Sequence, residues 1–300
     1  MNTQRYLSIP PAAASILAVI ILSLISTTFA APNDNEDFKW QEASKELDAL
    51  PFSQAFIDSA RKAHAGNPAQ QNGLRNVKSG SFINGETLVL EVGWTVFNAG
   101  YLILSATHMR SRGLLRANAK AMTNNTVSAI YKVRNHEISW IDADGLYPVF
   151  FEQHVREGKK YKADNYLVYD NIADKLFFKK NNDLKTFDTP KFTHDYISVI
   201  YYVRSMTLNP GDTFEASLFA RPKTYPLKFK VHEKRETVNV GGKSYNCVRV
   251  EIAMVGEGRV FTKRDKMEIW VSDDENHYPV MLKSKAKIGS LNAKLVQVIK

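Results

Sequence analysis

Apolar and polar residues change their spacing along this chain, and each change marks a change of structure. Between Asn33 and about Ser79 apolar side chains recur every three or four positions: Trp40, Ala43, Leu47 and Leu50, then, beyond Pro51, Phe52, Phe56, Ile57 and Ala60. That spacing predicts two short amphipathic helices, the first ended by Pro51. The stretch Gly66 to Ser79, with Asn67-Pro68 and Gln70-Gln71-Asn72-Gly73, has the composition of a linker. Two such helices bury too little surface to persist alone, so they need the rest of the chain or a partner to dock on.

From Ser81 the period becomes two. Leu88, Leu90, Val92 and Trp94 alternate with Thr87, Glu91 and Gly93; Leu102, Leu104 and Ala106 alternate with Tyr101, Ile103 and Ser105. A hairpin turning at Asn98-Ala99-Gly100 is predicted. Further strands are expected at Leu115 to Met122, His136 to Ile141, Val149 to Glu157, Lys162 to Tyr169 and Lys175 to Lys179, with turns at Asp144-Gly145 and Asp170-Asn171. The alternation resumes at Leu227, Phe229 and Val231, and turns at Gly241-Gly242 into Tyr245 to Met254. It continues through Met267, Ile269 and Val271, through Val280 to Ile288, and through Leu291 to the end. The expected fold is mainly β: a curved antiparallel sheet or β-barrel of about a dozen strands.

One segment breaks the meander. From Phe192 to Met206 the residues Tyr196, Ile197, Val199, Ile200, Tyr201, Tyr202 and Val203 are apolar nearly all round. Thr193, His194 and Asp195 supply a polar start and Asn209-Pro210-Gly211 a stop, which favours a buried helix over a strand of unusual length. Such a helix would plug or cover the sheet.

The first thirty residues carry Arg5, an apolar run from Ala12 to Ile25 and the small-residue exit Thr28-Phe29-Ala30. This is the pattern of a cleavable secretory signal, and the run is shorter than the roughly 20 residues of a membrane-spanning helix. The chain therefore divides into 1–30 (signal peptide), 31–79 (helical extension and linker) and 80–300 (antiparallel β domain). A periplasmic location follows, with no transmembrane anchor after cleavage. The lone Cys247 excludes an internal disulfide and reads as a small buried filler. A formal charge of +9 favours anionic envelope partners. No nucleic-acid motif accompanies it. Lys228, Lys230, Lys283, Lys285 and Lys287 could attract head groups or form a solvated strand face.

Catalytic and metal-binding patterns are missing from the sequence: no G-x-S-x-G, no phosphate loop, no H-E-x-x-H, and seven dispersed histidines. No catalytic residue, metal ligand or cofactor is assigned. Glu91, Asp142, Glu152 and Asp164 could serve as paired acids only if they shared an interior. Asp273-Asp274-Glu275-Asn276 reads as a turn, lacking the spacing of a calcium loop. Aromatic residues crowd the first half of the β region. Trp94, Tyr101, Trp140, Phe151, Tyr166 and Phe177, with Tyr201 from the helix, are the candidates for lining a ligand cavity.

Several phrases occur together: Asn84-Gly85-Glu86-Thr87-Leu88, Asn98-Ala99-Gly100, Val127 through Tyr131-Lys132-Val133, Leu146-Tyr147-Pro148, Arg156-Glu157-Gly158, Asp195-Tyr196-Ile197-Ser198, Tyr201-Tyr202-Val203-Arg204, and Ile269-Trp270-Val271-Ser272-Asp273-Asp274 before Tyr278-Pro279-Val280. From about Gly80 onward the chain resembles the exported bacterial family called domain of unknown function 3108. The resemblance implies a periplasmic, largely β protein and brings no catalytic residues. A further likeness, to lipoprotein-carrier and lipocalin-like barrels, is one of architecture. The expected function is a binder or carrier that holds an apolar or amphiphilic envelope molecule such as a lipid in a β-barrel cavity; the alternatives, in order, are an envelope scaffold without a ligand that engages a protein through residues 31–79, and a hydrolase of envelope polymers.

Overall fold

The computed structural model describes residues 85–300 apart from 95–96, 111–112, 160, 172, 181–182, 221, 255–265 and 286–289. The signal peptide and the helical extension predicted above lie outside the described residues. A first run of strands comprises β1 (Thr87–Trp94), β2 (Phe97–Met109), β3 (Leu114–Thr123), β4 (Arg134–Asp142), β5 (Pro148–Glu157), β6 (Tyr161–Asp170), β7 (Lys175–Lys180) and β8 (Asp183–Asp188), with the single turn α1 (Asn125–Ser128) after β3. Helix α2 (Ser198–Ser205) separates it from β9 (Thr213–Ala220), β10 (Lys223–Val240), β11 (Lys243–Met254), β12 (Lys266–Ser272), β13 (Pro279–Lys285) and β14 (Ser290–Ile299).

All these strands join one antiparallel sheet in the order β8-β7-β6-β5-β4-β3-β2-β1-β14-β13-β12-β11-β10-β9. Two meanders are thus fused by a single non-local ladder, in which β1 pairs with β14 from Thr87↔Ile299 to Trp94↔Leu291. The sheet is open, with β8 and β9 as its edges, so of the two expected forms it takes the sheet and not the closed barrel. It is nonetheless curled. Just beyond β8, His194 forms a parallel bridge with Leu218 of β9, its amide donating to the Ser217 carbonyl (2.7 Å) and its carbonyl accepting from Phe219 N (2.8 Å). Phe187 of β8 also meets Phe219 of β9 at 5.2 Å.

Cross-strand partners share a face, so the register sorts the side chains. Leu90, Leu102, Ala121 and Asn135 occupy one inner row; Ala119, Glu137, Gln153 and Asn165 occupy another. Inner residues of β1–β7 and β9–β14 pack with α2 in one apolar core, and all eight residues of α2 are buried. A second, smaller cluster lies on the opposite face of β3–β6: Leu114, Ile138, Trp140, Val149, Phe150 and Val168.

Two sequence expectations are corrected. Asn98-Ala99-Gly100 is not the hairpin turn but the start of β2, where the ladder to β1 slips by one residue between Val92 and Gly93. Glycine is needed there because a Cβ on Gly100 would sit 1.9 Å from the Met122 carbonyl oxygen of β3. The helix expected over Phe192 to Met206 is confined to Ser198–Ser205. Its predicted first part is spent on the crossing between sheet edges, since His194 cannot both bridge β9 and enter a helix. Strands β8 and β9 escaped the sequence reading; β8 is exposed along most of its length and shows little apolar alternation.

Candidate functional site

Helix α2 is held at its start by a reciprocal cap. Asp195 Oδ1 accepts from the amides of Ile197 (2.8 Å) and Ser198 (2.7 Å), and Ser198 Oγ accepts in turn from the Asp195 amide (3.0 Å). This satisfies donors that a buried helix start would leave orphaned. The other Asp195 oxygen accepts from Ser139 Oγ of β4 (2.5 Å), which fastens the cap to the sheet. Burial pushes the Asp195 carboxyl up to about 6, against the lowering effect of these hydrogen bonds.

Beside the cap, the inner face of β4–β6 carries polar groups instead of aliphatic ones. Gln153 Nε2 donates to Glu137 Oε1 (2.6 Å) and Asn165 Nδ2 donates to Gln153 Oε1 (2.8 Å), a chain across three strands. Asn135 Nδ2 donates to Glu157 Oε1 (2.9 Å), and the Asn135 side-chain oxygen accepts from the Arg156 amide (2.8 Å). Burial pushes Glu137 up to about 7; the Gln153 hydrogen bond opposes this, and the charges of Asp195 and Glu157 add to it. A cavity between this face and α2 is lined by Leu102, Leu104, Ala119, Ala121, Asn135, Glu137, Tyr196, Ile197 and Ile200. It has room for about one water molecule. The arrangement can take up a proton near neutral pH, and the hydroxyls beside Asp195, those of Ser139 and Ser198, are themselves buried.

The far end of α2 is tied down by charge. Arg204 forms a two-pronged ion pair with Glu86, and both side chains are buried. Its remaining donors reach the carbonyls of His277 (Nε, 3.1 Å) and Asn276 (Nη2, 3.1 Å), while His277 Nδ1 donates to the Arg204 carbonyl (2.7 Å). The guanidinium also lies 5.3 Å from the Tyr201 ring and 5.8 Å from the Tyr278 ring.

The arrangement of these residues falls almost wholly within a segment, 90–296, that matches the family described as a protein of unknown function, DUF3108. The chain belongs to the DUF3108 family. Among solved structures it is similar to a beta-barrel-like protein of the domain of unknown function DUF1849 from Brucella abortus, with 12% identity, a TM-score of 0.50, and coverage of 75% of this chain and 98% of that one. That is a likeness of fold alone. A Bacteroides fragilis protein with a YmcC-like fold is also similar, at 13% identity and a TM-score of 0.29, covering 73% of this chain and 97% of that one. No curated protein matches.

In this DUF3108 protein the seven aromatic candidates do not share one space. Phe151 and Tyr201 belong to the inner core, Phe151 packing edge-on to Tyr196 at 6.3 Å. Trp140, Tyr166 and Phe177 stand together on the outer face, and the register puts Tyr101 on that face too, paired with Glu91 and Met122. The side chain of Trp94 lies outside the described residues. Of the carboxylates singled out from the sequence, Glu91 and Asp142 stand apart, and only Glu152 and Asp164 are brought together, on His154. Asp142 Oδ1 accepts from the amides of Asp144 and Gly145 in a turn, and Glu91 sits opposite Lys294.

Glu152 and Asp164 flank His154 on the outer face, 2.7 Å from its Nε2 and 2.6 Å from its Nδ1, with Arg156 Nη2 2.8 Å from Asp164. Burial works against the His154 charge, but the two carboxylates outweigh it and raise its pKa. Asp274 Oδ1 accepts from Asn276 N (2.9 Å), and Arg235 Nε donates to Asp273 (2.8 Å), so the acidic cluster is a turn. Among the described residues no group of three His, Cys, Asp or Glu is placed to hold a metal. Cys247 is buried and its thiol is pushed up to about 12, chiefly by burial.

Lys228 pairs with Glu215 at 3.3 Å, Lys230 stands opposite Glu251, and Lys283 opposite Glu268, which makes this a strand face where each lysine meets a carboxylate. The side chain of Lys285, and Lys287 altogether, lie outside the described residues.

Sequence reasoning missed Glu137, Glu157 and Glu86. Their signal was present but ambiguous: Glu137 falls on the inner parity of β4, and that strand is buried on both faces, so alternation does not flag a polar residue facing inward.

Proposed function

We propose that this protein is exported to the periplasm and serves there as a non-catalytic β scaffold that engages other envelope proteins through its surface. The filling of the inner face supports this reading most strongly. A pocket for a drug-sized molecule measures roughly 300–1,000 Å³. Here that space is taken by Ile197, Ile200, Tyr201 and their neighbours, and the cavity beneath α2 has room for about one water. Among the described residues no helix is long and apolar enough to cross a membrane.

A second reading, a carrier of an apolar or amphiphilic envelope molecule, is favoured by the cavity lining. Leu102, Leu104 and Ile200 form an apolar wall and Asn135 and Glu137 a polar one, the two chemistries an amphiphile presents. Loading requires α2 to withdraw and the Arg204–Glu86 pair to part. Native mass spectrometry of protein released from the periplasm without detergent separates the readings. The scaffold gives the bare polypeptide mass, and cross-linking in intact cells yields discrete partner bands. A stoichiometric lipid adduct removed by organic extraction would overturn it in favour of the carrier.

A further inference from the structure

Large apolar side chains that stand in water are gathered at one end of the first meander. Antiparallel pairing puts the connections β1–β2, β3–β4, β5–β6 and β7–β8 at that end, and β2–β3, β4–β5 and β6–β7 at the other. Each of the first set carries one, in the connection or at the strand start beside it: Phe97 (74% exposed), Ile130 (71%), Tyr161 (43%) and Leu184 (57%). Ile299, the other large exposed apolar residue among those described, lies on β14. Among the described residues the connections at the opposite end expose none, and they bear Asp144 and Asp174 with Arg110. Exposed apolar residues scattered singly need no explanation, but one at each hairpin tip along a single rim does.

The tips are braced against one another. Asn124 donates its side-chain amide to the Asn98 carbonyl (2.7 Å) and caps α1 by accepting from the Val127 amide (2.9 Å), which ties the loop of Ile130 to the strand start of Phe97. The Gly158 amide donates to the Lys132 carbonyl (2.8 Å), and a Cβ on Gly158 would meet the Tyr131 ring at 3.0 Å, so the next turn is packed on the same loop. Around these tips Lys159, Lys162 and Lys180 are exposed. The two carboxylates at the tips are already engaged: Glu157 is buried and bonded to Asn135, and Asp183 pairs with Lys185 at 3.2 Å.

We propose that this rim docks the protein on a membrane surface bearing anionic phospholipid, its apolar tips entering the boundary between head groups and acyl chains while the lysines meet the phosphates. Charge complementarity selects this occupant, because the apolar tips are accompanied by cations. So does their spacing. Phe97 and Leu184 stand six strand spacings apart along the sheet, about 29 Å. A fluid interface accepts such separate points, whereas a protein partner needs a continuous packed patch between them. The docking is peripheral, and it serves a scaffold and a carrier alike.

The test floats the full chain, exported with its own leader, with vesicles of phosphatidylethanolamine and phosphatidylglycerol, and with vesicles of phosphatidylcholine alone. Binding to the first and not to the second is expected, and it should fall as salt is raised to about 0.5 M. F97S combined with I130S should weaken it about tenfold, and K159E combined with K180E by a similar factor. All four side chains are exposed, so both variants should keep the cooperative melt of the parent. A second measurement locates the contact. An environment-sensitive dye on Ile130→Cys should shift to the blue on anionic vesicles and one on Asp174→Cys should not, Cys247 being buried and left unlabelled. No flotation with anionic vesicles, equal flotation with phosphatidylcholine, or flotation that survives both pairs of substitutions would overturn the proposal. A dye at position 174 that shifts as far as the one at 130 would overturn it too.

Discussion

Arg204 and Glu86 lie 118 residues apart in the chain and meet as a buried two-pronged ion pair. One closes α2 and the other immediately precedes β1, so the pair locks the plug of the sheet to its central strand. Removing one partner strands a buried charge, which costs about 3–5 kcal/mol, whereas replacing both by apolar groups costs much less. R204M and E86L should each lower the urea midpoint sharply, and the two combined should recover a large part of the loss. A double substitution no better than the sum of the singles would show that the two residues act separately.

Stability should rise as the pH falls from 8 to 5. Glu137 and Asp195 have carboxyl pKa values raised to about 7 and about 6, so the folded protein holds protons that the unfolded chain releases. Their contribution is complete below the ordinary carboxylate range and is lost as the pH climbs through 6 and 7. The raised pKa of His154 acts in the same direction, and the lowered pKa of Asp164 reverses it only in stronger acid. Thermal melts followed by circular dichroism should show the higher midpoint at pH 5. E137Q, which keeps an oxygen for Gln153, should flatten this dependence and melt higher than the parent at pH 8.

Asp195 should matter more as a cap than as a charge. D195A leaves two amides of α2 and the Ser139 hydroxyl without their acceptor, a loss of about 2 kcal/mol or more. D195N retains an acceptor and should cost clearly less. Equal losses for the two variants, measured by denaturant titration, would place the role in the negative charge.

Gly100→Ala should prevent folding. The added carbon would meet the Met122 carbonyl oxygen at 1.9 Å, and the contact is backbone on both strands, with no flexible side chain to give way. Purified G100A is expected to lack the cooperative melt of the parent.

Much of the fold is legible from the sequence because a half-buried strand must alternate. Leu88, Leu90 and Val92 face inward as their spacing predicts, and Gly241-Gly242 turn β10 into β11 with Val240 opposite Lys243. Alternation fails where both faces are covered. Pro148–Glu157 is buried at every position, so nothing in its pattern tells Phe151, which faces inward, from Phe150, which faces out. The cavity candidates were dispersed for that reason: aromatic content announces a covered strand but not which side of it a residue takes. The polar network beneath α2 was illegible on other grounds. Glu137, Gln153 and Asn165 are brought together by register alone, and no local motif links them.

The ladder between β1 and β14 has a consequence for the order of synthesis. Its two strands are the first and last of the described sheet, so while the polypeptide is being delivered N-terminus first, the row of amides and carbonyls along β1 waits for the ten residues of β14 to arrive. Until then the leading meander carries a bare central margin open to pairing with strangers. A chain that has delivered β1 but not yet β14 is therefore the form most prone to aggregate, and a chaperone acting on this protein has most to protect in that interval.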